Sequence, residues 1–178
     1  LISRMDKDTV YNYLEEYTKV YDNEFYELIT NNKEYVKDIL NIERVQDKPR
    51  KDYACWSDVR PQIWYMFDEL YNPEQYEWMK ITDMDEIKNI VNTYINEFYS
   101  ESDDKETWFN KVKELADKLG YASNMKEYKQ NPEAFKGNVA DISTVIRVAV
   151  TSRSQTPDLY EILRLLGKTR ILERINKL

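Results

Sequence analysis

VADISTVIRVAVTSRSQTPDLYEILRLLGKTRILERINKL, residues 139–178, divides itself into three helices by its own punctuation. Behind Asp141, the apolar Ile142, Val145, Ile146, Val148 and Ala149 recur at helical steps around a single charge, Arg147. Thr156-Pro157-Asp158 then reads as a helix start. It supplies a cap, a proline where a missing N–H is tolerated, and an acid near the positive end of the helix dipole. Leu159, Ile162, Leu163 and Leu166 follow, Gly167 closes that helix, and residues 168–177 form the last one, buried through Ile171, Leu172 and Ile175. The same stretch holds seven basic residues, Arg147, Arg153, Arg164, Lys168, Arg170, Arg174 and Lys177, against four acids. It is therefore +3 in a chain of net charge −7, and the residues before it carry −10. A basic end on an acidic body is a polarised surface of the kind that receives anions.

Upstream, helical periodicity continues. Val10, Tyr11, Leu14, Tyr17 and Tyr21 line one face over residues 8–21. A short helix carries Phe25, Leu28 and Ile29, and a third runs from an Asn31-Asn32 cap through Tyr35, Val36, Ile39 and Leu40 to about Arg44. Residues 46–56, QDKPRKDYACW, break the period and read as a loop. Ser57 is placed to cap a helix with the stripe Val59, Ile63, Met66, Phe67 and Leu70, ended by Asn72-Pro73, with a short turn around Tyr76 and Trp78 beyond it. Residues 83–99 are the clearest single helix, with Met84, Ile87, Val91, Tyr94, Ile95 and Phe98 on one face and a capping box at Asp83 and Glu86. Residues 104–119 repeat through Trp108, Val112, Leu115 and Leu119, capped by Ser102 or Asp103 and stopped by Gly120. Between Tyr121 and Asn138 the period fails, which predicts a connector with one turn near 132–135. The expected fold is all-α, an irregular helical bundle in two helical subdomains, residues 1–100 and 101–178.

Composition supports that class and removes several chemistries. Three glycines and five prolines in 178 residues leave little material for the turns of a many-stranded sheet. Without any histidine there is no Ser-His-Asp or Cys-His site, and a zinc centre loses its commonest ligand. The lone Cys55 cannot form an intramolecular disulfide, and no run is long and apolar enough to span a bilayer, so a cytoplasmic protein without membrane contact is expected. Glycines at 120, 137 and 167 cannot build a phosphate loop. Twelve acids against three lysines between Gln62 and Glu106 fall mostly on polar helix faces, where solvation accounts for them better than a metal or acid–base site. No catalytic or metal-binding residue is assigned.

Two features suit nucleic acid. Between Arg44 and Arg60, five basic residues (Arg44, Lys48, Arg50, Lys51, Arg60) face three acids, with Tyr53 and Trp56 interleaved. Arginine forks bind phosphates or base edges and flanking rings stack on unpaired bases, although a solvated linker has the same composition. Most of the fifteen tyrosines and four tryptophans occupy core positions, and an AT-rich genome produces the same abundance. Arg147, alone in an apolar helix, either pairs with a buried acid or carbonyl or reaches a ligand from a packed stem.

Taken in order, residues 146–175 resemble the C-terminal end of bacterial glutamyl-tRNA synthetases. The elements are Arg147-Val148-Ala149, the turn Thr151-Ser152-Arg153-Ser154, Pro157-Asp158-Leu159, Leu166-Gly167 and Arg174-Ile175. VYDNEF at 20–25, ILNIERVQDKPRKDYACWSDV at 39–59 and MFDELY at 66–71 are similar to the start of that family's anticodon-binding region, so the resemblance covers nearly the whole chain. Family members usually carry glycine where Ser152 stands. A HIGH-type motif is impossible without histidine, no KMSKS-type loop is present, and Leu1 replaces an initiator methionine, so a C-terminal fragment without its catalytic domain is expected.

The resemblance implies an α-helix cage that grips the anticodon stem-loop of glutamate tRNA. On that basis Arg44, Arg50, Lys51 and Arg60, with the rings of Tyr53 and Trp56, are expected to contact RNA from the first subdomain, and Arg147, Arg153 and Arg170 from the second. No cofactor is expected in the fragment; ATP and Mg would belong to the catalytic domain of a monomeric parent ligase. Two other readings stay open at this point: an all-α protein-interaction module whose acidic middle meets a basic partner, and the anticodon-binding region of a class I lysyl-tRNA synthetase.

Overall fold

The computed structural model of the chain describes residues 1–46 and 48–178; Asp47, one of the acids counted in the basic loop, lies outside the described residues. Nine α-helices are present among the described residues, and no strand beyond one isolated bridge between Ala122 and Asn138. None of these helices is long and apolar enough to cross a membrane. The backbone divides into two compact units, Leu1–Asn72 and Pro73–Leu178.

The first unit is built on α1 (Lys7–Tyr21), α2 (Asn23–Asn31) and α3 (Lys33–Leu40), with α1 packed on both others. Asp6 opens α1 by accepting from the Thr9 N–H at 2.9 Å. Asp22 ends α1 and starts α2, accepting from Phe25 N at 3.1 Å. Asn32 stands at the start of α3 as the sequence predicts, but its amide closes α2 instead, donating to the Leu28 carbonyl at 2.9 Å. The buried stripe holds Val10, Tyr11, Leu14, Phe25, Ile29, Val36, Ile39 and Leu40. Each large aliphatic or aromatic side chain so removed from water contributes about 1.5–3 kcal/mol.

The single helix expected after Ser57 is broken. A 3-10 turn at Trp56–Asp58 leads into α4 (Val59–Ile63) and a second 3-10 turn at Trp64–Met66. Asp58, not Ser57, closes the start, its carboxylate accepting from Ala54 N at 2.9 Å and Cys55 N at 3.2 Å. Tyr65, Met66 and Phe67 are all buried, and three consecutive buried positions cannot lie on one face of a 3.6-residue helix. Phe67 meets Phe25 and Tyr35 edge-on, each at 5.9 Å.

The second unit surrounds α8 (Val139–Thr151), which packs on α5 (Met84–Thr93), α6 (Lys105–Lys118) and α9 (Leu159–Asn176). Val148, Ala149, Val150 and Thr151 are all buried, so the last turn of α8 is enclosed on every side. α5 and α8 pack against each other inside the unit Pro73–Leu178. A π-turn, Tyr94–Phe98, extends α5. Asp104, rather than Ser102 or Asp103, caps α6 through Thr107 N at 2.8 Å. Gly120 (φ +87°) is the left-handed stop that the sequence predicts. The expected connector contains α7 (Met125–Gln130) and a 3-10 turn at Pro132–Ala134.

Asn138 caps α8 reciprocally with Asp141: Asp141 N donates to Asn138 Oδ1 at 3.2 Å and Asn138 N to Asp141 Oδ2 at 3.0 Å. α9 begins after Asp158, which accepts from Glu161 N at 3.2 Å, so Thr156 is not its cap. The two helices expected around Gly167 form one element kinked there (φ +78°, ψ 165°). The kink releases backbone groups on both sides, and side chains satisfy them. Arg170 donates to the Leu166 and Leu165 carbonyls at 2.7 and 3.1 Å, and Glu101 accepts from Lys168 N at 3.2 Å.

Candidate nucleic-acid interface

In the second unit, the N-terminal half of α8 and the segment leading into α9 enclose an open pocket of about 420 Å³. Phe109, Met125, Val139 and Ala140 give it apolar walls, and Thr144 and Gln155 are among its polar groups. Phe109 and Met125 are exposed at 39% and 38%, large apolar surfaces left open to solvent. Arg147 lines the same pocket. Its Nη1 donates to the carbonyls of Thr156 at 3.1 Å and Pro157 at 2.9 Å, and to the Thr156 hydroxyl. Arg147, the one basic residue of α8, is thus paired with carbonyls, one of the two roles its place in the sequence predicts, and it fixes the wall of the pocket.

Beyond α8 the chain reverses at Ser152, buried and left-handed (φ +67°), a conformation that glycine adopts without cost. This is the position where the resembling family usually has glycine. Thr151 Oγ1 accepts from Arg153 N at 3.1 Å, and Glu77 anchors the far side of the turn. Glu77 N donates to the Ser152 carbonyl at 2.9 Å, while its Oε1 accepts from Ser154 N at 2.8 Å and Arg153 Nε at 3.3 Å. The Ser154 amide, with help from the Arg153 guanidinium and against partial burial, holds the Glu77 carboxyl below its ordinary range.

The remaining residues expected to meet RNA divide by what their polar groups already hold. Arg44 is only 8% exposed, and its Nη2 donates to the carbonyls of Ile2, at 2.7 Å, and Met5. Burial lowers its pKa. It secures the segment before α1. Arg60 donates to both Asp22 oxygens at 2.9 and 2.8 Å and to Glu24, and lies 5.6 Å over the Phe25 ring. Burial opposes its charge, but the two carboxylates outweigh that and raise its pKa. Arg50 Nε sits between the Asp52 oxygens at 2.8 and 2.7 Å, with Glu43 at 3.4 Å. Arg170 bridges the Gly167 kink.

Other expected residues present themselves more openly. Lys51 is exposed and has no ion-pair partner among the described residues. Trp56 is half-exposed and stacks on Tyr13 at 5.6 Å and 18°, a flat aromatic face on the first unit. Tyr53 is half-buried, and burial together with the neighbouring Asp52 raises its phenol pKa, so it stays protonated. Arg153 engages Glu77 only through Nε, and no described residue hydrogen-bonds its two terminal nitrogens. Glu77, Tyr13 and the buried Arg174 were not foreseen as site or support residues; Tyr13 was readable as the off-stripe aromatic of α1, whereas Glu77 stands in an irregular segment with no local signal. No group of three or more His, Cys, Asp or Glu among the described residues is arranged to hold a metal.

Residues 9–178 match the family described as anticodon binding domain. Glutamate–tRNA ligase of Clostridium perfringens is 41% identical over 180 residues, covering 99% of this chain and 32% of the relative. The ligases of Clostridium beijerinckii (38%, 99% of this chain) and Acetivibrio thermocellus (36%, 100% of this chain) are also covered over 32% of their length. The chain thus spans about a third of the length of the curated relatives it matches.

Proposed function

We propose, because the chain belongs to the anticodon binding domain family, that it grips the anticodon stem-loop of glutamate tRNA as part of a glutamate–tRNA ligase. The observation that carries this reading is the pocket at α8. Its apolar walls offer a flat surface to a base that has left its stack, and its rim supplies hydrogen-bonding groups for the base edge. Arg147 contributes by locking residues 156 and 157 as one wall. Lys51 and the outer nitrogens of Arg153 bind phosphates, and the Trp56–Tyr13 stack receives a ring face. Arg44, Arg60 and Arg170 support these groups by holding backbone and helix ends, and Arg50 orders its loop. Tyr53 backs that loop as a neutral phenol.

In this reading the ligation of glutamate, with ATP and Mg, is carried out by other parts of a monomeric cytoplasmic enzyme, and this chain confers choice of tRNA. The relatives favour it over both a protein-interaction module and a lysyl synthetase region. With a net charge of −7, binding rests on local cations and weakens steeply with salt.

The test compares this chain's affinity for the glutamate-tRNA stem-loop and for one with a scrambled anticodon at low salt. Preference for the first, reduced by Arg147→Ala, is expected. Equal affinity for the two RNAs removes the anticodon-reading claim and leaves only electrostatic attraction. A base-reading contact carries about 1–3 kcal/mol of discrimination.

A further inference from the structure

An acid from outside the turn at residues 151–154 is bonded to it, beside the cation proposed to meet RNA, where simple electrostatics would exclude it. We infer that Glu77 is a positioning residue that aims Arg153 at an RNA phosphate. The inference rests on the tRNA-binding reading above and adds a residue to it.

Four bonds converge on Glu77. Its N–H holds the Ser152 carbonyl at 2.9 Å, and its Oε1 takes Ser154 N at 2.8 Å, Arg153 Nε at 3.3 Å and Ser154 Oγ at 3.4 Å. An ion pair this exposed, with side chains 35% and 48% accessible, contributes little to stability by itself. Its effect is geometric. The Arg153 backbone is held by Thr151 Oγ1, which accepts from Arg153 N at 3.1 Å while its own proton faces the Arg147 carbonyl at 2.7 Å, with the Arg153 carbonyl the longer alternative at 3.1 Å. With the backbone and Nε both held, the guanidinium plane has a set direction, and Nη1 and Nη2 form the edge that matches two phosphate oxygens. The stacked rings of Tyr76 and Trp78, 5.5 Å apart, flank Glu77 in its irregular segment. Pre-orientation lowers the entropy lost when the phosphate docks, and this gain opposes the repulsion of the carboxylate.

The two effects differ in sign, which makes the inference testable. Removal of an acid beside a polyanion strengthens binding if charge alone matters; removal of a positioning group weakens it. The experiment measures binding of the anticodon stem-loop by the full chain across a salt series, for wild type, Glu77→Ala, Arg153→Ala and the double variant, with thermal melting as a control. Glu77→Ala is expected to weaken binding about three- to tenfold, for cognate and scrambled loops alike, and to lower the salt slope by roughly 0.7–1. Arg153→Ala should do the same, and the double variant should lose nothing further. Glu77→Gln, which keeps the acceptor for Ser154 N, should fall between wild type and Glu77→Ala, and carries the test if the alanine variant melts early. Unchanged or tighter binding by Glu77→Ala or Glu77→Gln overturns the inference, as does a Glu77→Ala effect that persists in the Arg153→Ala background. Wild type that binds no RNA removes the tRNA reading and this inference together, whereas a binding wild type with an indifferent Glu77 removes only the latter.

Discussion

Arg174 reaches back 24 residues to donate from Nη1 to the Val150 carbonyl at 2.8 Å. The last turn of α8 leaves carbonyls without helical partners, and there the Val150 carbonyl is enclosed by protein, out of reach of water. A guanidinium only 2% exposed answers it from α9. The bond ties α9 to the end of α8 immediately before the left-handed turn at Ser152. Arg174→Ala should therefore destabilise the chain by about 2–4 kcal/mol in urea unfolding. Arg174→Met, which keeps the apolar stem, should lose less.

Ser152 occupies a left-handed conformation that costs a residue with a Cβ about 1–2 kcal/mol. Ser152→Gly is expected to leave the turn intact and raise the melting temperature slightly, the relief being partly offset by a freer unfolded chain. Ser152→Val should lower it, because a β-branched residue fits this region worst. A fall with glycine comparable to that with valine would contradict the assignment.

Gly167 and Gly137 are required for different reasons, and alanine at each separates them. At Gly167 a Cβ meets nothing within 4 Å, so the cost is purely conformational, about 1–3 kcal/mol from φ +78°. At Gly137 the φ is ordinary, but a Cβ would lie 2.6 Å from Asp141 Oδ2 and 3.1 Å from the Tyr121 ring. Gly137→Ala should therefore displace Asp141 from the α8 capping box at a cost of about 1 kcal/mol or more. Adding Asp141→Ala to Gly137→Ala should then cost less than in wild type, whereas Gly167→Ala and Asp141→Ala should add.

Asp6 and Asp104, which cap α1 and α6, and Asp58, which closes the turn before α4, all have pKa values below the ordinary 3.8 because backbone N–H groups donate to the ionised form. A lowered folded-state value means that these groups stabilise the fold fully above their unfolded pKa. The contribution is lost as pH falls through the folded value, so stability should decline below about pH 4. Asp104→Asn preserves the cap without the titration; it should leave stability at pH 7 nearly unchanged and flatten that decline, as read from urea midpoints between pH 2 and pH 7.

Much of the fold was legible because each helix carries its own signals. Asp83 opens a helix where its side-chain oxygen meets a free N–H group, and Gly120 ends one where a left-handed residue is needed. The errors share a cause. Residues 57–70 have a helical stripe, yet Tyr65, Met66 and Phe67 are drawn inward together by α2 and α3, a pull that acts through space and leaves no mark on local periodicity. Asn32 turned back to Leu28 and Thr156 went to Arg147, because each side chain found a carbonyl or a guanidinium that the fold brought near.

The site divides in the same way. By itself the amino-acid sequence determined the all-α class, most of the apolar helix stripes, the absence of histidine chemistry and the succession of motifs that points to anticodon recognition. It could also mark which residues are cationic. Only the tertiary structure decided which cations face outward, since an arginine is drawn to whichever carbonyl or carboxylate packing leaves unsatisfied. Arg44 is held by Ile2 and Met5, Arg60 by Asp22 and Glu24, Arg170 by the Gly167 kink and Arg174 by Val150. These partners lie from four to 42 residues away along the chain. Unsatisfied backbone groups are created by folding, so the residues that answer them are identified only when the fold is known.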